Sequence, residues 1–219
     1  MLARRGTQLK LARKHGWGGK RPGAGRKRKD GLSLPSGVPH LRRAKLEPRH
    51  PVGITLKVQR DVCSLRGRRA SKEVQRALAE SRLRRDFRIV HFSVLSNHLH
   101  LIVEAHGRTA LSRGVQALEI RLARRLNRLM SRSGKVFADR FHAHVLRTPT
   151  EVARARRYVL ENLAIHRARS GARELPSADL LSSEACPGGA AEPATWLLKI
   201  GFRRGRVRLI DDAAAFRDG

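Results

Sequence analysis

Two histidines, His98 and His100, sit one residue apart in the apolar run FSVLSNHLHLIVEA, Phe92 to Ala105. Imidazole is the commonest metal ligand among side chains. Strand side chains at i and i+2 share a face, so both rings point one way and can chelate one ion. The pair can also be read as two hydrogen-bonded histidines with no ligand between them. Tyr158, the only tyrosine in the chain, stands in RRYVLENLAIHR with Asn162 four residues on. That spacing puts phenol and amide on one helical face, with Arg154 one turn earlier and Arg157 beside it. Nearby guanidiniums favour a phenolate, which can act as a covalent nucleophile. An amide oxygen suits a hard cation such as Mg²⁺ or Mn²⁺. The competing reading is a tyrosine half packed in the core beside a solvated arginine face.

The elements that must position these residues follow from periodicity. VGITLKV reads as a strand, and SKEVQRALAESRLRR as a helix capped at Ser71. FRIVHFSVL and HLHLIVEA form a hairpin across the turn signal SN. Leu111, Val115, Leu118, Leu122, Leu126 and Leu129 recur at helical spacing in the next segment. GKVFADRFHAHVLR reads as a fourth strand with a bend. PTEVARARRYVLENLAIHRAR is a third helix entered at Thr148 to Thr150. The order β-α-β-β-α-β plus a helix predicts an α+β fold, the ferredoxin-like split βαβ antiparallel sheet. An extra C-terminal helix carries the tyrosine. Leu99, Leu101 and Val103 then face the helix-covered core, and His98 and His100 the open face of the sheet. Glu104 shares the histidine face, as an outer partner of a histidine or a solvated strand-end acid.

Charge indicates the partner. Lys and Arg total 48 against 18 Asp and Glu, a formal +30 over 219 residues. Such a field attracts polyanions, nucleic acid first, because each neutralised phosphate releases counterions. No apolar run approaches the ~20 residues of a spanning helix. Residues 1–50 read as a basic flexible arm, with Arg21, Arg26, Lys27, Arg28 and Lys29 as backbone-phosphate contacts or as a solvated tail. Residues 51–170 form the candidate catalytic domain. Residues 171–219 are a C-terminal extension whose TWLLKIGFRRGRVRLI adds DNA contacts or packs as an appendage. Cys63 and Cys186 read as free thiols of a reducing compartment. The basic N-terminus lacks a signal-peptide pattern, so a cytoplasmic, nucleoid-associated location is expected.

SNHLHLIVE resembles the His-hydrophobe-His signature of the HUH superfamily of single-strand nucleases. RRYVLENLAIHR resembles the nucleophile helix of single-tyrosine transposases, and GKVFADRFH the segment between these motifs in REP-associated tyrosine transposases. RPGAGRKRK is similar to the N-terminal arm of many such proteins. The resemblance covers roughly Val52 to Arg169. It implies that His98, His100 and Asn162 are metal ligands for Mg²⁺ or Mn²⁺ and that Tyr158 is the nucleophile. It further implies a 5′-phosphotyrosine intermediate on single-stranded DNA beside an imperfect, REP-like hairpin. Independently of the resemblance, Arg154 and Arg157 are positioned to neutralise charge on the transferred phosphate. The expected function is a metal-dependent, transposase-like strand transferase, possible as a homodimer with the tyrosine acting within or between subunits. The alternatives are a non-catalytic, domesticated nucleic-acid-binding protein of the same fold, and an RNA-binding module using the bare sheet face.

Overall fold

The computed structural model describes residues 45–81, 84–169 (the backbone alone from 162) and 179–205. Four strands, β1 (Val52–Lys57), β2 (Phe87–Val94), β3 (His98–Ala105) and β4 (His142–Val145), form one sheet in the order β2-β3-β1-β4. All three pairings are antiparallel. The helices α1 (Arg68–Ser81) and α2 (Arg108–Leu129) connect β1 to β2 and β3 to β4. Each thus closes a split βαβ unit, and the two units interleave to give the expected ferredoxin-like α+β plan.

Alternation decides the faces. Val52, Ile54 and Leu56 of β1, and Leu99, Leu101 and Val103 of β3, are buried in one cluster with α1 and α2. From α1 this cluster takes Ala70, Val74, Ala77 and Leu78, and from α2 Leu111, Val115, Leu118, Leu122 and Leu126. Gly114 lets α2 approach β2: a Cβ there would stand 2.2 Å from Phe87 Cγ. Arg125 ties the two helices together through Glu73, at 2.8 Å, and Glu80. Helix α1 starts one turn before the expected cap. The Ser71 amide donates to Gly67 O at 2.8 Å and its hydroxyl to Arg68 O at 3.3 Å, so Ser71 lies inside the first turn. The expected long fourth strand is interrupted. Phe137 bridges Val58, the chain bends, and only 142–145 pairs with β1.

Two sequence expectations fail on the other face of the sheet. It is not open. Helix α3 (Pro149–Arg169) and the short α4 (Trp196–Lys199) cover it, burying Val152, Ala155, Val159, Leu197 and Leu198 against Val90 and Ile102. The signal was present: Ile102 shares a face with His98 and His100, and an apolar side chain there calls for a cover. A bulge between Ile89 and His91 turns Val90 to the same side and shifts the inward parity of β2 to Phe92 and Val94. The bare sheet face on which the RNA-binding reading depends is therefore absent.

Glu104 is likewise neither solvated nor an outer partner of a histidine. It is buried and accepts hydrogen bonds from the amides of Ala194, at 2.8 Å, and Thr195, at 2.7 Å. The returning chain also borders β2, the edge strand. The Val94 amide donates to Leu181 O, that of Ser183 to Phe92 O, and that of Ala191 to Ile89 O. This blunts an edge that would otherwise present unpaired backbone groups.

Candidate functional site

The turn before β3 is held by its own backbone. Leu95 N donates to His98 O at 2.9 Å, Val58 N to Asn97 O at 2.9 Å and Leu65 N to Ser96 O at 2.8 Å. His98 therefore enters β3 from a fixed position. Its Nδ1 lies 2.7 Å from Asn97 Oδ1. An amide oxygen only accepts, so this contact favours the tautomer with the proton on Nδ1 and leaves Nε2 available as a ligand. His100 is buried and faces Thr55 across the β1–β3 ladder, with Thr55 Oγ1 3.0 Å from its Nδ1. Thr55 can accept the Nδ1 proton and leave Nε2 as the coordinating nitrogen, the arrangement outer partners impose on metal-ligating histidines.

The two imidazole centroids are 4.7 Å apart with planes at 88°. At metal–nitrogen distances of about 2.1 Å, two imidazoles on one ion place their centroids roughly 4.5–5.5 Å apart. The residues present thus fit a shared divalent ion. No group of three or more His, Cys, Asp or Glu side chains that could hold a metal occurs among the described residues.

Helix α3 delivers the tyrosine. Its start carries a TPTE cap: Thr148 Oγ1 accepts from the Glu151 amide at 3.2 Å, and Glu151 Oε2 accepts from the Arg147 amide at 2.6 Å, with Pro149 in the first turn. Val152, Ala155 and Val159 form the buried stripe. Arg154 and Tyr158 lie one position to the side of it. Tyr158 is consequently nearly buried at the margin of the helix–sheet contact, and its ring meets His100 edge to face, centroids 5.0 Å apart at 81°.

The remaining predicted site residues are distributed as follows. Asn162 lies on the α3 backbone four residues after Tyr158, and its side chain is outside the described residues. Arg154 is exposed, and Arg157 donates through Nε to Glu161 Oε2 at 3.0 Å. Arg21, Arg26, Lys27, Arg28 and Lys29 lie outside the described residues.

Sequence reading missed Thr55 and Asn97 as partners of the histidines. Their signal lies in the strand register rather than in any motif. His91, outside the His98–His100 pair, is half-buried, with its Nδ1 3.4 Å from Ser183 Oγ. Burial, reinforced by the Arg156 guanidinium, pushes the His91 imidazole down to about 4.

Residues 54–162 match the family model described as "Transposase IS200 like". No curated protein matches the chain. Among solved structures it is similar to a REP-associated tyrosine transposase bound to a REP hairpin, at 18% identity and a TM-score of 0.49, over 65% of this chain and 90% of that one. A Deinococcus radiodurans R1 protein provisionally assigned as a transposase matches at 14% identity and a TM-score of 0.37, over 60% of this chain and 93% of that one.

Proposed function

Because residues 54–162 make this chain a member of the IS200-like transposase family, we propose that it cuts and rejoins single-stranded DNA through a covalent bond to Tyr158. The observation that carries this reading is the contact between Tyr158 and His100, ring centroids 5.0 Å apart. A lone tyrosine from a separate helix stands against an imidazole whose other nitrogen is already engaged by Thr55.

His98 and His100, through Nε2, together with the Asn162 amide, would hold Mg²⁺ or Mn²⁺, whose chemistry is to polarise a phosphate and orient it. Tyr158 Oη loses its proton and attacks phosphorus in line. The bond from phosphorus to the 3′-oxygen breaks, and that oxygen takes up a proton. The products are a 5′-phosphotyrosyl link and a free 3′-OH. The link keeps the phosphodiester bond energy, so attack by a 3′-OH reverses the step without ATP. The near-burial of Tyr158 supports keeping this ester from hydrolysis. Its position over His100 of the same chain supports attack within one subunit.

Arg154 and Arg157 supply positive charge one turn before and immediately beside the nucleophile. The Arg157–Glu161 pair is exposed enough to exchange for phosphate at little cost. The substrate in this reading is a single strand next to a REP-like hairpin. The basic arm, with Arg21, Arg26, Lys27, Arg28 and Lys29, grips backbone phosphates.

The test is to incubate the full chain with hairpin oligonucleotides from the flanks of its own gene and Mg²⁺ or Mn²⁺. A denaturation-resistant protein–DNA adduct is expected with wild type and none with Tyr158→Phe. No adduct on any flanking hairpin would return the chain to a non-catalytic DNA-binding role. An adduct retained in Tyr158→Phe would remove Tyr158 as nucleophile.

A further inference from the structure

Trp196 is 49% exposed, and it is the one exposed aromatic side chain among the described residues. Its placement is built rather than loose. The amide just before it, at Thr195, is bonded to the buried Glu104 carboxylate, and Leu197 and Leu198 after it are buried. The indole leans on Gly201, where a Cβ would stand 2.7 Å from Trp196 Cζ3. Only glycine leaves room for the ring to lie there. The Arg204 guanidinium sits 5.6 Å from the indole centroid. Next to it, Phe202 lies between Arg156, at 4.3 Å, and Arg203, at 5.9 Å. Lys199, Arg203 and Arg204 are all exposed.

A fixed, half-exposed indole among exposed cations is the arrangement on which unpaired bases stack while arginines meet the phosphates. We propose that Trp196, with Lys199, Arg203 and Arg204, forms a stacking platform for unpaired nucleotides of the DNA strand, separate from the His98–His100–Tyr158 centre. The inference rests on the single-strand DNA reading above. Glu104 lies four residues beyond His100 on β3, roughly 13 Å at strand spacing. At about 3.4 Å per stacked nucleotide, one strand can occupy both places within a few nucleotides. The platform also accounts for how a chain with only 4% aromatic residues holds unpaired bases.

The test follows Trp196 fluorescence in a full-length Trp17→Phe background. Titration with a single-stranded oligo-dT is expected to quench it saturably, and a blunt duplex of equal phosphate count to leave most of the signal. Trp196→Ala should weaken oligo-dT binding about ten-fold, and Trp196→Tyr should restore most of it, which separates stacking from misfolding. Equal quenching by duplex overturns the platform, as does unchanged binding by Trp196→Ala. A response to anionic phosphatidylglycerol vesicles alone also overturns it, in favour of a lipid surface. An adduct at Tyr158 with no fluorescence change removes the platform and leaves the catalytic reading standing. Quenching without any adduct does the reverse.

Discussion

Thr55 Oγ1 lies 3.0 Å from His100 Nδ1, across the β1–β3 ladder from the imidazole it orients. Thr55→Val keeps the shape and removes the hydroxyl, so His100 loses the group that can accept a proton from Nδ1 and free Nε2 for a metal. The expected result is a 10–100-fold loss of Mn²⁺ affinity, read by calorimetry or by manganese electron paramagnetic resonance. Thr55→Ser should retain most of the affinity. Unchanged affinity in the valine variant would show that His100 does not coordinate through Nε2.

His91 makes stability depend on pH. Its pKa falls from 6.5 in the unfolded chain to about 4 in the fold, through burial and the Arg156 charge. Between those values the unfolded chain binds more protons, so stability rises with pH. His91 imposes no penalty above about pH 6.5. Stability is lost as pH falls through that window, by up to roughly 3 kcal/mol near pH 4. Urea midpoints measured from pH 7 to 4 should drop more steeply for wild type than for His91→Gln. Parallel curves would show that His91 charges without cost.

How far these residues could be read in advance depends on whether their partners are local. His98 and His100 share a face by strand alternation alone, and helix spacing puts Tyr158 and Asn162 on one face, so the placement of these residues was legible, whereas their roles came only from the family resemblance. Their meeting was foreshadowed by Ile102, whose apolar side chain on the histidine face required the cover that Val152, Ala155 and Val159 provide. Glu104 was not legible. Its partners, the amides of Ala194 and Thr195, are about ninety residues away in sequence, and no periodicity links a buried carboxylate to two backbone donors. The bulge at Ile89 to His91 was missed for a related reason: one extra residue in β2 shows only against the pairing of β3.

Gly114 faces the Phe87 ring, and Gly114→Ala sets two effects against each other. Alanine gains about 1 kcal/mol in helix propensity. Its methyl would stand 2.2 Å from Phe87 Cγ, on a ring with no exposure, and overpacking costs about 1–3 kcal/mol. Because Phe87 is packed on all sides, the clash should win. The expected outcome is a stability lowered by up to about 2 kcal/mol, read as a lower urea midpoint at unchanged slope. A stabilised variant would mean that Phe87 has room to move.

The Glu104 carboxylate links the sheet to the segment that backs α3. It accepts from Ala194 N with both oxygens, at 3.0 and 2.8 Å, and from Thr195 N at 2.7 Å. Leu197 and Leu198 then pack with Val152, Ala155 and Val159 of the helix bearing Tyr158. Hydrogen bonds to a charged acceptor are worth about 1.5–3 kcal/mol each, so Glu104→Ala should cost about 3 kcal/mol or more. Glu104→Gln keeps an acceptor but not the charge and should fall between. Amide exchange at Ala194, Thr195 and through α4 should accelerate first. If that loosening reaches α3, adduct formation at Tyr158 should slow in the alanine variant at temperatures where the sheet is intact. Accelerated exchange in α4 with an unchanged adduct rate would show that the α3 stripe, resting on Ile102 and Val90, holds Tyr158 over His100 without help from the C-terminal segment.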